Sequence, residues 1–165
     1  MSADLQREAV YAAERAAFDG TDLEAVRPLN VVRSLAARVV GGAWWPGPPV
    51  DVRAARSDAM SSSARSNRQS SGGVVVIRIA PPQCTVATLA HELAHALAGV
   101  EAGHGAVYRC AALDVVEVIT NLDTTDRRGH LHARQLLAAY ESAGLGGGER
   151  RWPPPPSGIS GPIAL

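Results

Sequence analysis

The sequence has few aromatic residues, few cysteines and no long apolar run. Aromatic side chains make up 4% of its 165 residues, so the core must consist mainly of Val, Leu, Ile and Ala. The two cysteines, Cys84 and Cys110, form neither a Cys-x-x-Cys pair nor a disulfide framework, which indicates small buried residues in a reducing compartment. Because no apolar run approaches the roughly 20 residues of a membrane span, the sequence predicts no membrane partner.

An excess of charge of either sign is also missing. Sixteen basic and sixteen acidic residues give a formal net charge of zero, so no global field would draw the chain to nucleic acid. Lysine is absent and every basic residue is an arginine, which we attribute to codon bias in a GC-rich genome. The N-terminal residues mix charged and apolar side chains and lack a signal-peptide core. We therefore expect a cytoplasmic protein, with no prediction of its oligomeric state.

Hydrophobic periodicity predicts five helices and two short strands. The helices are expected over residues 3–18, 29–40, 106–119 and 131–143, and between an N-cap at Thr85 and a stop at Gly99. The strands are expected near residues 50–53 and 74–80. A small sheet packed on the helices places the protein in the α+β class. The first helix is expected to bury one apolar side, formed by Leu5, Ala9, Ala12, Ala13 and Ala16.

Two segments have no hydrophobic period. Residues 57–73 are polar and rich in serine, which predicts a flexible loop. Residues 145–165 are rich in glycine and proline, which predicts a disordered or loosely docked tail. The folded domain is therefore expected to span residues 1–144.

The stretch TLAHELAHAL, residues 88–97, carries the clearest chemical signal. His91 and His95 are four residues apart, so on a helix they lie one turn apart on the same face and can bind one metal ion. In this HExxH pattern Glu92 lies beside the two ligands, where a carboxylate can act as general base on a metal-bound water. The neighbouring residues are uncharged, which predicts a buried helix where unpartnered polar groups would be costly. We therefore predict one Zn²⁺ per chain.

Three residues compete for the place of the third ligand. His104 lies between Gly103 and Gly105, which give the backbone the freedom to turn His104 toward the metal. Glu101, six residues after His95, and Glu117, on the following predicted helix, are the alternatives.

The segment HELAHALAGVEAGHGAVY, residues 91–108, resembles the SprT-like zinc peptidases. Their signature is HExxH followed, after a short connection, by HGxxF or HGxxY, and His104, Gly105 and Tyr108 match its second half. Within that group the chain is most similar to a small family of uncharacterised metallohydrolases of bacteria and their phages. The resemblance covers residues 74–110. It implies a compact zincin-like domain in which His104 is the third zinc ligand.

The resemblance also implies a peptidase acting on a protein or peptide substrate. In that mechanism Glu92 shuttles the proton, and Tyr108 is a candidate oxyanion stabiliser. The strand at residues 74–80 would be the sheet edge on which the peptide lies by β-addition. SprT-like proteins that cut DNA-crosslinked proteins also carry DNA-binding parts, often a Cys-rich zinc ribbon. Since this chain has no ribbon and no net charge, we do not extend DNA repair to it.

An alternative hypothesis is a binding module, or a degenerate peptidase, held together by a structural zinc. Structural sites are usually closed by four protein ligands and rich in cysteine, so Cys84 or Cys110 would supply a thiolate. The intact Glu92 argues against degeneration, because a purely structural site does not need it.

Four further polar residues follow the motif. Asp114 and Glu117 are candidates to accept hydrogen bonds from the ligand imidazoles. His130 and His132 are expected to lie in solvent.

Overall fold

The computed structural model describes residues 4–66, 73–123, 129–146 and 148–156. These residues form five α-helices and a three-stranded sheet, so the α+β class is confirmed. The helices are α1 (Arg7–Phe18), α2 (Leu29–Val40), α3 (Val86–Ala98), α4 (Ala106–Asp123) and α5 (Gly129–Ser142). The strands are β1 (Val50–Ala54), β2 (Ser63–Ser66) and β3 (Val75–Ile79). None of the helices in the described ranges combines the length and the apolar character needed to cross a membrane.

The motif helix α3 is central to the fold and has the predicted ends. The Thr85 side chain caps its start by accepting a hydrogen bond from the Thr88 backbone N–H at 3.1 Å. Gly99 ends the helix with a φ of 101°, a conformation that favours glycine. α3 packs against α4 and against the sheet strands β2 and β3. Both the N-cap and the stop are confirmed.

β3 is the central strand of the sheet. It pairs in parallel with β1, from Val50 opposite Val75 to Ala54 opposite Ile79, and antiparallel with β2. Since both of its sides are paired, the prediction that this strand is a substrate-binding edge is wrong. β2 forms an edge of the sheet instead. It lies within the segment predicted as a loop, and it was not predicted because its sequence SARS lacks the apolar alternation that marks a strand. Residues 67–72 of that loop lie outside the described residues.

The buried face of α1 differs from the predicted one. Leu5 precedes the helix and is 90% exposed, and Ala12 and Ala16 are also exposed. Val10, Ala13 and Phe18 form the buried face, and through it α1 packs on α5. The spacing of the alanines did not predict the buried face correctly, because alanine favours a helix in solvent as well as in a core.

The described part of the C-terminal segment is docked on α4, which is one of the two alternatives expected from its composition. Gly148 lies so close to α4 that a Cβ there would be 2.1 Å from the carbonyl oxygen of Ala106. Trp44 Nε1 donates to the carbonyl oxygen of Pro153 at 3.0 Å. The glycine and proline content did not predict these contacts, because the average composition of a segment does not show which individual residues pack against the fold. Residue 147 and residues 157–165 lie outside the described residues.

Candidate metal centre

Three imidazoles converge between α3 and α4. His91 and His95 come from α3, and His104 comes from the turn just before α4. One ligand nitrogen of each lies within 4.8 Å of the other two, and among the described residues this is the one such group of His, Cys, Asp or Glu. The Nε2 atoms of His95 and His104 are 3.2 Å apart. Two ligands of a tetrahedral zinc, at about 2.0–2.1 Å from the ion, are separated by roughly 3.3 Å. The three imidazoles could therefore hold a metal ion, and the spacing of His95 and His104 matches that of two zinc ligands.

Of the three competitors for the third place, the structure brings His104 to the motif. Gly103, with a φ of 62°, turns the chain just before it. Glu101 is exposed on that turn. Glu117 points elsewhere, with its Oε1 3.2 Å from His130 Nδ1.

Two of the imidazoles are hydrogen-bonded through their outer nitrogen, Nδ1, to carboxylates from the N-terminal part of the chain. His91 Nδ1 lies 2.7 Å from Glu14 Oε2, and His104 Nδ1 bonds Asp4 Oδ2. A carboxylate that accepts the Nδ1–H of a histidine fixes the tautomer and leaves the Nε2 lone pair for a metal. His95 differs, because its Nδ1 is buried with no partner among the described residues.

Asp114 and Glu117 do not contact the ligand imidazoles, so their predicted role is wrong. Asp114 accepts two hydrogen bonds from Arg150, at 2.7 and 2.8 Å, and one from Trp152 Nε1 at 2.8 Å. These partners lie in the C-terminal segment, whose contact with Asp114 could not be predicted from the sequence. Glu117 pairs with His130 on α5. The expectation that His132 lies in solvent is also wrong, since its side chain is buried.

Glu14 is the main residue that the sequence analysis missed. It lies on the buried face of α1, between Val10 and Phe18, with its side chain only 14% exposed. Burial acts to raise its pKa, but the attraction of His91 and hydrogen bonds from His91, Tyr108 and Tyr140 outweigh burial and lower it. A carboxylate in the middle of an apolar helix face was the available signal, because it needs a buried partner.

Tyr108 closes the buried side of the imidazole group. Its hydroxyl donates to Glu14 Oε1 at 2.7 Å and lies 2.7 Å from His91 Nδ1. The side chain is fully buried, and burial raises the pKa of this phenol well above its ordinary value, so that it keeps its proton. The hydroxyl thus faces the outer nitrogen of His91. In this geometry Tyr108 positions Glu14 and His91. Its role as an oxyanion stabiliser stays a prediction.

A cleft of about 450 Å³ opens beside the group and is lined by His91 and Glu92. Tyr11 of α1 also lines it, with its ring stacked on His91 at 5.1 Å and edge-on to His104 at 5.2 Å between centroids. Glu92 is buried, and its carboxyl accepts a hydrogen bond from the backbone of Ala64 in β2. Burial raises the pKa of Glu92 to about 7. A carboxyl that titrates near neutrality is suited to general acid–base chemistry.

The protonation of His95 favours metal binding. Burial, with repulsion from the other two imidazoles, lowers the pKa of His95 to about 3. At neutral pH this side chain is therefore uncharged, which is the form that binds a metal.

The two cysteines are not part of the group. Both are free and buried, and burial raises the pKa of each thiol. Within the described residues the candidate metal group therefore consists of imidazoles alone.

No protein-family model, curated protein or solved structure matches the chain. The chemistry of the site therefore carries the functional argument.

Proposed function

We propose that this protein is a zinc-dependent metallohydrolase, a peptidase with a zincin-like arrangement of its site. The observation that supports the proposal is the convergence of three imidazoles beside a buried glutamate at the wall of a cleft. His91, His95 and His104 would hold the metal. Three protein ligands leave one coordination position open, which is typical of catalytic and not of structural zinc.

Each residue of the site has a separate task in this proposal. Bound zinc would polarise the substrate carbonyl and lower the pKa of water. Glu92 takes a proton from the attacking water and delivers it to the leaving amine. Glu14 and Asp4 hold the His91 and His104 rings in the orientation that presents Nε2. Tyr108 holds Glu14 in turn.

The substrate in this proposal is a protein or peptide in an extended conformation. It would pair with β2, which is an edge strand, and not with the doubly paired β3. Because the backbone of Ala64 in β2 bonds the Glu92 carboxyl, a peptide at this edge would pass next to the base. We also propose a cytoplasmic protein, because both cysteines are free. Its zero net charge argues against a nucleic-acid partner.

The replacement of Glu92 by glutamine tests the proposal. Glu92→Gln keeps the size of the side chain but removes the base, so hydrolysis should fall on the order of a hundredfold or more. Zinc content should stay at about one per chain. Hydrolysis is measured on a peptide library with the zinc-loaded wild type, Glu92→Gln, and the exposed control Glu101→Gln.

The outcomes separate the two hypotheses. Full activity in Glu92→Gln contradicts the mechanism. A wild-type protein that binds zinc but cleaves no peptide contradicts the peptidase and favours the binding module with a structural zinc.

A further inference from the structure

The cleft beside the candidate metal centre carries two arginines on one side of α1. Arg7, Tyr11 and Arg15 all line the cleft, and residues four apart lie along one face of a helix. Eight residues of α-helix rise about 12 Å, which is the separation of the Cα atoms of the two arginines along the helix axis. Arg7 is nearer the imidazoles, since its charge acts on both His91 and His95.

Neither arginine forms an ion pair with the described residues. The guanidinium of Arg7 lies 5.3 Å from the centroid of the Tyr11 ring and is hydrogen-bonded to Tyr11. This contact holds Arg7 at the cleft without neutralising it. Both arginine side chains are exposed. Their charges are therefore available to a bound molecule.

Among the described acidic residues of the cleft, none is in ion-pair contact with Arg7 or Arg15. Glu14 is paired with His91, and Glu92 is buried beside the imidazoles. Glu24 also lines the cleft, and burial together with repulsion from Asp19 and Glu14 raises its pKa. The rest of the lining away from α1 is uncharged, and includes Ser61, Ser62, Pro82, Gln83 and Thr85.

We propose that this cleft recognises carboxylates of an acidic polypeptide, one at Arg7 and one at Arg15. The inference rests on the proposed function and names its substrate class. The guanidinium fork matches a carboxylate in a bidentate manner. A distance of about 12 Å corresponds to about three or four residues of extended chain. The cleft therefore fits a peptide with acidic residues three or four positions apart. The carboxylate at Arg7 belongs either to an acidic side chain or to the C-terminus of the substrate.

Peptide binding to the zinc-loaded Glu92→Gln variant tests this inference without depending on hydrolysis. Labelled peptides of equal length carry Glu-x-x-x-Glu or Gln-x-x-x-Gln, each with a free or an amidated C-terminus. An exposed ion pair is worth at most about a fivefold change in affinity. We therefore expect the Glu peptide to bind about two- to fivefold more tightly per arginine, with an advantage that falls as salt is added.

Single substitutions assign the preference to the two arginines. Arg7→Ala and Arg15→Ala should each remove part of it, and Arg15→Glu should turn it toward a peptide with lysine at the matching position. Arg33→Ala, an exposed arginine of α2 outside the cleft, is the matched control and should keep the full preference. A loss in Arg7→Ala that depends on the free C-terminus identifies a terminal carboxylate, and a loss that depends on glutamate identifies a side chain.

Equal affinities for the Glu and Gln peptides overturn the inference, as does a preference that survives in both alanine variants or a failure of all peptides to bind. Hydrolysis by the wild type without an acidic preference leaves the proposed function standing and removes only this inference. Selective binding of acidic peptides without hydrolysis by the wild type supports this inference and contradicts the proposed peptidase.

Discussion

Helices α3 and α1 both serve the candidate metal centre, but they do so in different ways. α3 supplies His91 and His95 through a spacing of four residues, which the helix converts into one face. α1 supplies Glu14, which is 77 residues away in sequence from the His91 that it contacts. Asp4, just before α1, contacts a histidine 100 residues away. The ligands are thus a local property of the chain, whereas the groups that orient them depend on packing.

The carboxylates of the molecule show the same contrast. Asp114 and Glu117 lie on the helix that follows His104, and their nearness in sequence suggested contact with the ligands. In the structure Asp114 accepts hydrogen bonds from Arg150 and Trp152, and Glu117 pairs with His130. Nearness along the chain therefore misidentified the carboxylates, because a side chain on α4 contacts whatever packs against its own face.

The largest expected effect comes from removing a ligand. His104→Ala should reduce the zinc content from about one per chain to none, because it leaves only two of the three protein ligands. Glu101→Ala and Glu117→Ala should both keep the metal, since neither carboxylate lies in the group. Metal analysis after dialysis measures all three. If Glu117→Ala empties the site while His104→Ala retains zinc, the assignment of the ligands is wrong.

A smaller effect is expected from the α1 carboxylate that orients His91. Glu14→Gln should weaken zinc binding about 10–100-fold, since it removes the charge that holds the imidazole without removing a ligand. Competition with a chelator of known affinity measures this change. Asp114→Asn is the matched control on α4 and should leave zinc affinity unchanged. Equal losses in the two variants would show that α1 has no special role at the metal.

The smallest effect is expected from the same Asp114→Asn variant, measured as stability. Asp114 is buried and accepts three hydrogen bonds, while its partner Arg150 is 40% exposed and partly screened by solvent. We expect the free energy of unfolding to fall by about 1–2 kcal/mol. Denaturant titration measures it against Asp51→Asn, which breaks only an exposed pair with Arg53. An unchanged stability would mean that the C-terminal segment adds nothing to the fold.

The amino-acid sequence was sufficient to predict the helices, two of the strands and the two histidines of the motif, and it left His104 in competition with Glu101 and Glu117. Leu29–Val40 has the predicted bounds, and α3 lies between the predicted cap at Thr85 and stop at Gly99. These features could be predicted because helical hydrogen bonds, caps and glycine turns act between residues only a few positions apart. The face shared by His91 and His95 follows from the same short-range geometry.

The groups that surround the histidines could be identified only from the packing of the folded chain. It placed Glu14 and Asp4 behind two of them, turned the Tyr108 hydroxyl to the outer nitrogen of His91, and made β2 an edge strand beside Glu92. It also docked the C-terminal segment on Asp114. Each of these contacts joins residues far apart in the chain, and a side chain that is polar in sequence does not indicate its buried partner. The partner is fixed by how the helices pack, because a buried charge is stable only where that packing supplies its counterpart.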